Sequence, residues 1–321
     1  MAEYINIKGI NVETLASDPA NPTVGQIWYN STENALKGSK YVGTGSWATA
    51  PSVNTARKAL AAAGTTSAAV AFAGNPDVSP AISSTEEYNG SSWSNVNPMN
   101  TARYSLAGVG TQTAAVGFGG FDGTYLSATE NYDGTSWTTS GSLPGVRSGI
   151  GGAGTQTAAL GFGGSFPPAR NTTFQYNGST WSTPPATMNT ARLVMGTAGT
   201  QTAALAFGGT PSIGTTAASE EYDGTSWVTG NSLNTARAEL AGAGIQTDAL
   251  AFGGATATEL YDGTTWTSTT NSPIYKKEIS GCGTQPAALS VSGQFMPPGA
   301  VTTSVEEWTG AGPRTQTITS S

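Results

Sequence analysis

RYSLAGVGTQTAAVGFGGFDGTYLSATENYDGTSW, residues Arg103 to Trp137, contains every feature that recurs along this 321-residue chain. An Arg precedes small residues and a Gly-x-Gln-Thr string. An apolar run follows and ends in Gly119-Gly120. After a variable gap comes Tyr132-Asp133-Gly134, and then Trp137. The same order returns at Arg57, Arg103, Arg147, Arg192 and Arg237, spaced by 46, 44, 45 and 45 residues. The tryptophans Trp93, Trp137, Trp181, Trp227 and Trp266 follow at 44, 44, 46 and 39, the last interval being shortened by a trimmed gap after Gly253-Gly254. A sixth copy is degenerate. Lys276 or Lys277 stands for the Arg, Ser292-Gly293 for the Gly-Gly and Trp308 for the Tyr, while the first copy carries Ala73-Gly74.

A period near 45 without helical patterning is the size of one four-stranded propeller blade. In the second copy the expected strands are a, Tyr104 to Gly108; b, Ala114 to Gly119; c, about Thr129 to Tyr132; and d, starting at Trp137. Asp133-Gly134 between c and d is a two-residue hairpin signal, because Gly and Asp tolerate positive φ. Asn89-Gly90 and Asn177-Gly178 repeat it. In strand b, Val116 and Phe118 share one face and Ala115 and Gly117 the other. Large residues of one blade can therefore fill space beside small residues of the next. Strand a, rich in Ala and Gly as in Leu240 to Gly244, fits the crowded axis.

These marks resemble the kelch repeat: the Arg before strand a, the apolar run into Gly119-Gly120, and the Tyr132 and Trp137 pair. The resemblance covers about residues 52–310. It implies an all-β, six-bladed kelch-like propeller, with seven blades as the alternative. The closer Tyr–Trp spacing departs from the typical repeat and implies a tighter c–d turn. Kelch propellers mostly bind proteins or glycans. The copper-radical oxidases on this fold need Tyr, Cys and His ligands, which this chain cannot supply.

Charged residues are only 10% of the chain, against ~25% in ordinary soluble domains, and the net charge is -7. With aromatics at 9%, this composition fits many short strands and tight turns. The charge and the absence of a basic cluster argue against nucleic acid. The chain has no histidine and one cysteine, Cys282, so neither a disulfide nor a Ser-His-Asp set is available. No enzyme, metal or cofactor is expected. The one Asp per c–d hairpin reads as turn chemistry rather than calcium ligation, and Cys282 as a buried inert thiol. The opening residues lack a basic-then-apolar signal pattern, and no apolar run approaches membrane-spanning length.

Residues 1–36 stand outside the repeat. They are expected to form an attachment segment, with the propeller taking 37–321. Ile27 to Asn30 and Ala35 to Gly38 read as strands about a Ser-Thr-Glu-Asn turn. The run GQIWYNSTENALKGSKYVGTGSW is similar to a short module of bacteriophage tail-fibre and virion proteins. That likeness implies a non-enzymatic virion appendage or structural protein, a tail-fibre, tail or capsid-surface component, displaying the propeller for host contact. Residues 1–36, with Ile5, Ile7, Ile10, Val12 and Leu15, would join other virion proteins by strand addition. A free glycan-binding or adhesion module, secreted or at a cell surface, is the alternative. Homo-oligomerisation is compatible with either.

From Tyr41 the chain mimics the end of a repeat, with Trp47 in the strand-d position, and no Trp follows Trp308. The segment Gly45 to Thr49 is therefore expected to complete the sixth blade. Arg57, Arg103, Arg192 and Arg237 are expected to pair with Glu86, Glu130, Glu220 and Glu259, each two residues before the blade's Tyr. The third copy has Phe174 instead. The b–c gaps vary while the framework repeats, which is where recognition concentrates on a repeated scaffold. Phe121, Tyr125, Phe166, Arg170, Phe295 and Met296 are the candidate partner-binding residues there.

Overall fold

The computed structural model describes residues 12–19, 26–42, 44–77, 80–297, 299–310 and 312–317. The chain divides into two compact units, Ser46–Thr309 and Met1–Gly45 with Gly310–Ser321. The larger unit is a β-propeller of six four-stranded antiparallel sheets. In blade 2 the strands are Ala107–Thr111, Ala114–Phe118, Thr129–Tyr132 and Trp137–Ser140. Strand a thus begins at Ala107, not Tyr104, and strand b ends at Phe118. The residues after Arg103 form a connection in which Ser105 has φ 53°. Gly119 and Gly120 both take positive φ, 70° and 106°. That left-handed turn is open to glycine at no cost, and it stops the ladder.

The sixth sheet is built from both ends of the propeller. Ser280–Thr284, Ala287–Val291 and Val305–Thr309 are joined by Ser46–Ala50, in the register Trp308 opposite Trp47. The inner strands pack blade to blade from Ala61–Thr65 round to Ser280–Thr284, which returns to Ala61–Thr65. Closure packs the inner strands against one another, and only the short outer strand of each blade presents an edge.

Large residues enter gaps left by small ones between neighbouring blades. Phe72 lies 4.7 Å from Trp137 of the next blade. A Cβ on Gly108 or Gly117 would come within 2.5 or 2.9 Å of the Phe72 ring, so glycine there makes room for it. Phe118 and Trp181, Phe162 and Trp227, and Phe207 and Trp266 repeat the contact at 4.7–4.9 Å. Trp47 meets Phe252 at 5.2 Å, taking the sixth blade's tryptophan position. Each of these indoles also donates to a hydroxyl at or just before the start of strand c of the preceding blade, as Trp137 Nε1 does to Thr85 and Trp47 Nε1 to Thr258. The repeated Gln of the a–b turn ties blades at the opposite end. Gln112 Nε2 donates to the carbonyls of Ala69 and Tyr88, and Gln156, Gln201 and Gln246 do likewise. The first copy has Thr66 at this place.

The smaller unit holds a four-stranded sheet. Glu13–Leu15 runs parallel to Ile27–Asn30, which pairs with Ala35–Val42, and this pairs with Gly312–Thr317. The expected boundary at 36/37 therefore moves to 45/46, and the propeller ends at Thr309. The cause is a pairing between the two ends of the chain that no local pattern marks. Trp28 is fully buried, and the Asp18 carboxylate accepts from both Trp28 Nε1 and Asn30 Nδ2. Ile5, Ile7 and Ile10 lie outside the described residues.

Candidate functional site: the b–c face and its charge nodes

Four buried Arg–Glu pairs repeat around the ring. Arg57 meets Glu86 at 3.1 Å, Arg103 meets Glu130 at 2.9 Å, and Arg192–Glu220 and Arg237–Glu259 are both 3.0 Å. The sixth blade substitutes Lys276, 2.5 Å from Glu306. Each pair is a node of the d–a connection. Glu130 also accepts from the backbone N–H of Asn100 and Thr101, and Arg103 donates to the carbonyl of Ala128. A buried charge needs pairing and hydrogen bonds to be tolerated; here the Nε of each framework arginine is buried without a hydrogen-bond partner among the described residues. Burial pulls the Arg57 guanidinium down to about 10, and the Glu86 carboxylate opposes that fall.

Blade 3 departs from this plan at three positions together. Phe174 replaces the Glu, while Pro144 and Gly145 replace the Asn-Thr whose N–H groups would have met it. Pro144 has no N–H, so the lost acceptor does not strand a donor there. Arg147 remains, 9% exposed, with its guanidinium 5.3 Å over the Phe174 ring. It donates to the Val146 carbonyl at 2.7 Å and to Thr172 Oγ1 at 3.4 Å. Among the described residues it has no carboxylate partner. Burial lowers its pKa, and the nearby Arg170 lowers it further.

The residue two places after each framework Arg or Lys forms a second ring. Ser105 N–H donates to the Ala59 carbonyl, Gly149 to Ser105, Val194 to Gly149, Glu239 to Val194, Glu278 to Glu239 and Ala59 to Glu278, at 2.7–3.0 Å. All six residues have positive φ, between 47° and 61°. Only Gly149 adopts it freely; the others carry strain of roughly 1–2 kcal/mol each. A cavity of about 280 Å³ is bounded by this ring and the first residues of the six inner strands. Its two carboxylates face lysines, Glu278 with Lys58 at 3.7 Å and Glu239 with Lys277 at 3.1 Å. Burial holds the Glu278 carboxyl above its usual range.

The connections on this face interlock, since Met99 and Arg103 N–H groups donate to Ser83 and Ile82 of the preceding b–c loop. The structure gathers three of the candidate partner residues. Phe121 and Tyr125 meet edge to face at 5.1 Å, and Tyr125 meets Phe166 at 5.5 Å. Tyr104 extends the row, 5.6 Å from Phe121, where other copies carry Lys58, Ser148, Leu193, Ala238 or Lys277. Sequence reasoning placed Tyr104 in strand a and so overlooked it; an aromatic beside the framework Arg was the available signal. Phe166 is 48% exposed. Arg170 shares its loop. Phe295 and Met296 lie apart, in the sixth blade, where Phe295 pairs with Lys276 and Met296 N–H donates to Tyr275. No group of three metal-ligating side chains gathers among the described residues. Cys282 is buried, which pushes its thiol up to about 12.

The solved structure of YjhT is similar to this chain with a TM-score of 0.68 at 11% identity, over 79% of this chain and 95% of YjhT. The likeness is one of fold, and the chain is a β-propeller. No protein-family model and no curated protein matches its sequence.

Proposed function

We propose that this kelch-like chain is a non-enzymatic bacteriophage virion component, a tail-fibre, tail or capsid-surface protein whose propeller contacts the host through its b–c face. One observation carries the display role. The repeated polar side chains (Arg, Glu, Gln, Tyr and Trp) are committed to bonds within the scaffold, as at Arg103–Glu130 and Gln112. The b–c loops vary most in length and sequence, and Phe166 and Ile213 there are exposed. A rigid framework with variable loops is a recognition scaffold. The virion assignment draws on the tail-fibre-like run around Ile27 to Asn30 and Trp47. It also draws on the separate unit at the chain ends, which supplies a second body for assembly.

The test is localisation. Antibody raised against the propeller should label intact particles and slow their adsorption to host cells. Purified particles that lack the chain would refute the reading. A chain found free, yet binding cells, would favour a secreted glycan-binding or adhesion module instead.

A further inference from the structure

We propose that blade 3 and its neighbour form a binding site for an acidic saccharide, with Arg147 and Arg170 receiving a sugar carboxylate and Tyr104, Phe121, Tyr125 and Phe166 supporting the sugar rings. The proposal rests on the b–c face being the recognition surface, and it names the ligand class.

Three observations meet at this place. First, the other framework cations each have a carboxylate, and blade 3 has dropped its own together with the donors that served it. The arginine was kept, turned towards Gly145 and Thr172. Second, Arg170 is the propeller's one arginine outside the framework position, in a chain of net charge -7. The Arg170 loop is tied to the Arg147 connection by the Ser148–Ser165 bridge, and neither arginine has a carboxylate partner among the described residues, which makes a local positive centre against the overall field. Arginine's planar fork matches a carboxylate through two parallel bonds. Third, the aromatic row continues from blade 2 into the same loop of blade 3, ending at exposed Phe166.

Aromatic faces carry partial negative charge. The C–H-rich face of a pyranose ring complements them, while its hydroxyls stay in water. Arginine clusters also take acidic peptides; the row of aromatic rings beside the two arginines favours a sugar, and the poly-glutamate arm of the test separates the two. The Asp122 carboxylate lies in the aromatic loop, held by Thr124 N–H and Oγ1, and would favour ligands whose acid group sits towards blade 3.

Titration calorimetry on the full chain tests this with short galacturonate, glucuronate and mannuronate oligomers. A neutral maltooligosaccharide and poly-glutamate serve as controls. At least one uronate should bind more tightly than both controls by about tenfold or more. Binding should weaken with salt. Arg170→Ala should lower affinity by a similar factor. The triple variant Pro144→Asn, Gly145→Thr, Phe174→Glu rebuilds the node of the other blades and occupies Arg147. It should unfold cooperatively like the parent yet lose uronate binding. Equal binding of the neutral sugar or of poly-glutamate would overturn the proposal. So would no uronate binding, or unchanged affinity in both Arg170→Ala and the folded triple variant. If the chain labels particles and mediates adsorption while binding no uronate, this inference fails and the virion reading stands. If it binds uronate but is absent from particles, the converse holds.

Discussion

Trp47, at the start of the propeller, stands directly opposite Trp308, at its end, and the two rings lie 5.4 Å apart. The sixth blade is thus completed by a strand more than 200 residues away in sequence, and the Trp47 indole also donates to Thr258 in blade 5.

Trp47→Ala should therefore cost about 3 kcal/mol, at the lower end for Trp truncation because the side chain is half-buried. A chain starting at Pro51 would expose the edge of Val305–Thr309 and should self-associate. Urea unfolding reads the first effect and light scattering the second. A monomeric, undiminished Pro51 chain would mean that closure does not depend on this strand.

The charge nodes predict a contrast between single and combined changes. Arg103→Leu leaves the buried Glu130 carboxylate with only backbone donors, and should cost about 3–5 kcal/mol. Copying blade 3 into blade 2, with Asn100→Pro, Thr101→Gly and Glu130→Phe, removes acceptor and donors together and should cost less than Glu130→Phe alone. Denaturant midpoints of the three variants decide it.

The seam between blades 6 and 1 lacks the glutamine tie of the other seams, because Thr66 holds that position. Thr66→Gln would reach the Ala288 and Trp308 carbonyls, the counterparts of Ala69 and Tyr88. It should stabilise by about 1 kcal/mol, the worth of an ordinary net hydrogen bond. An unchanged thermal midpoint would show that the seam cannot accept it.

In the c–d turn of blade 2, the N–H groups of Ser136 and Thr135 hold the Asp133 carboxyl below its ordinary value. A depressed folded pKa gives stability that is present above the unfolded value, about 3.9, and is lost as pH falls through the folded one. In blade 3, Asn177 makes the same turn bonds without titrating. Asp133→Asn should match the parent's thermal midpoint at pH 7 and lose less stability than the parent on acidification below about pH 4. Asp133→Ala should melt lower than both at pH 7.

Much of this architecture was legible because the repeat multiplies each signal. Strands b, c and d, the Arg and Glu partners, and the role of Trp47 all follow from position within a 45-residue period. The start of strand a was misplaced for a physical reason. The positive-φ residue before it is Ala59, Ser105, Gly149, Val194, Glu239 or Glu278. No residue type marks the site, because the inter-blade bonds, not local preference, impose the conformation. The aromatic row was half visible. Phe121, Tyr125 and Phe166 stood out as loop aromatics, whereas Tyr104 joins them only through packing across the connection. The pairing of Ala35–Val42 with Gly312–Thr317 had no sequence signature, since it is set by topology alone.

The hydrogen-bonded circle from Ala59 to Glu278 has an electrical consequence. Along a helix, peptide dipoles line up and sum to a charged pole at each end. Around a closed loop the same head-to-tail alignment has no ends, and the tangential components cancel. The tangential part of the backbone field therefore cancels at this end of the cavity. The charge there is set by side chains, Glu278 beside Lys58 and Glu239 beside Lys277, which can change without rewiring the ring.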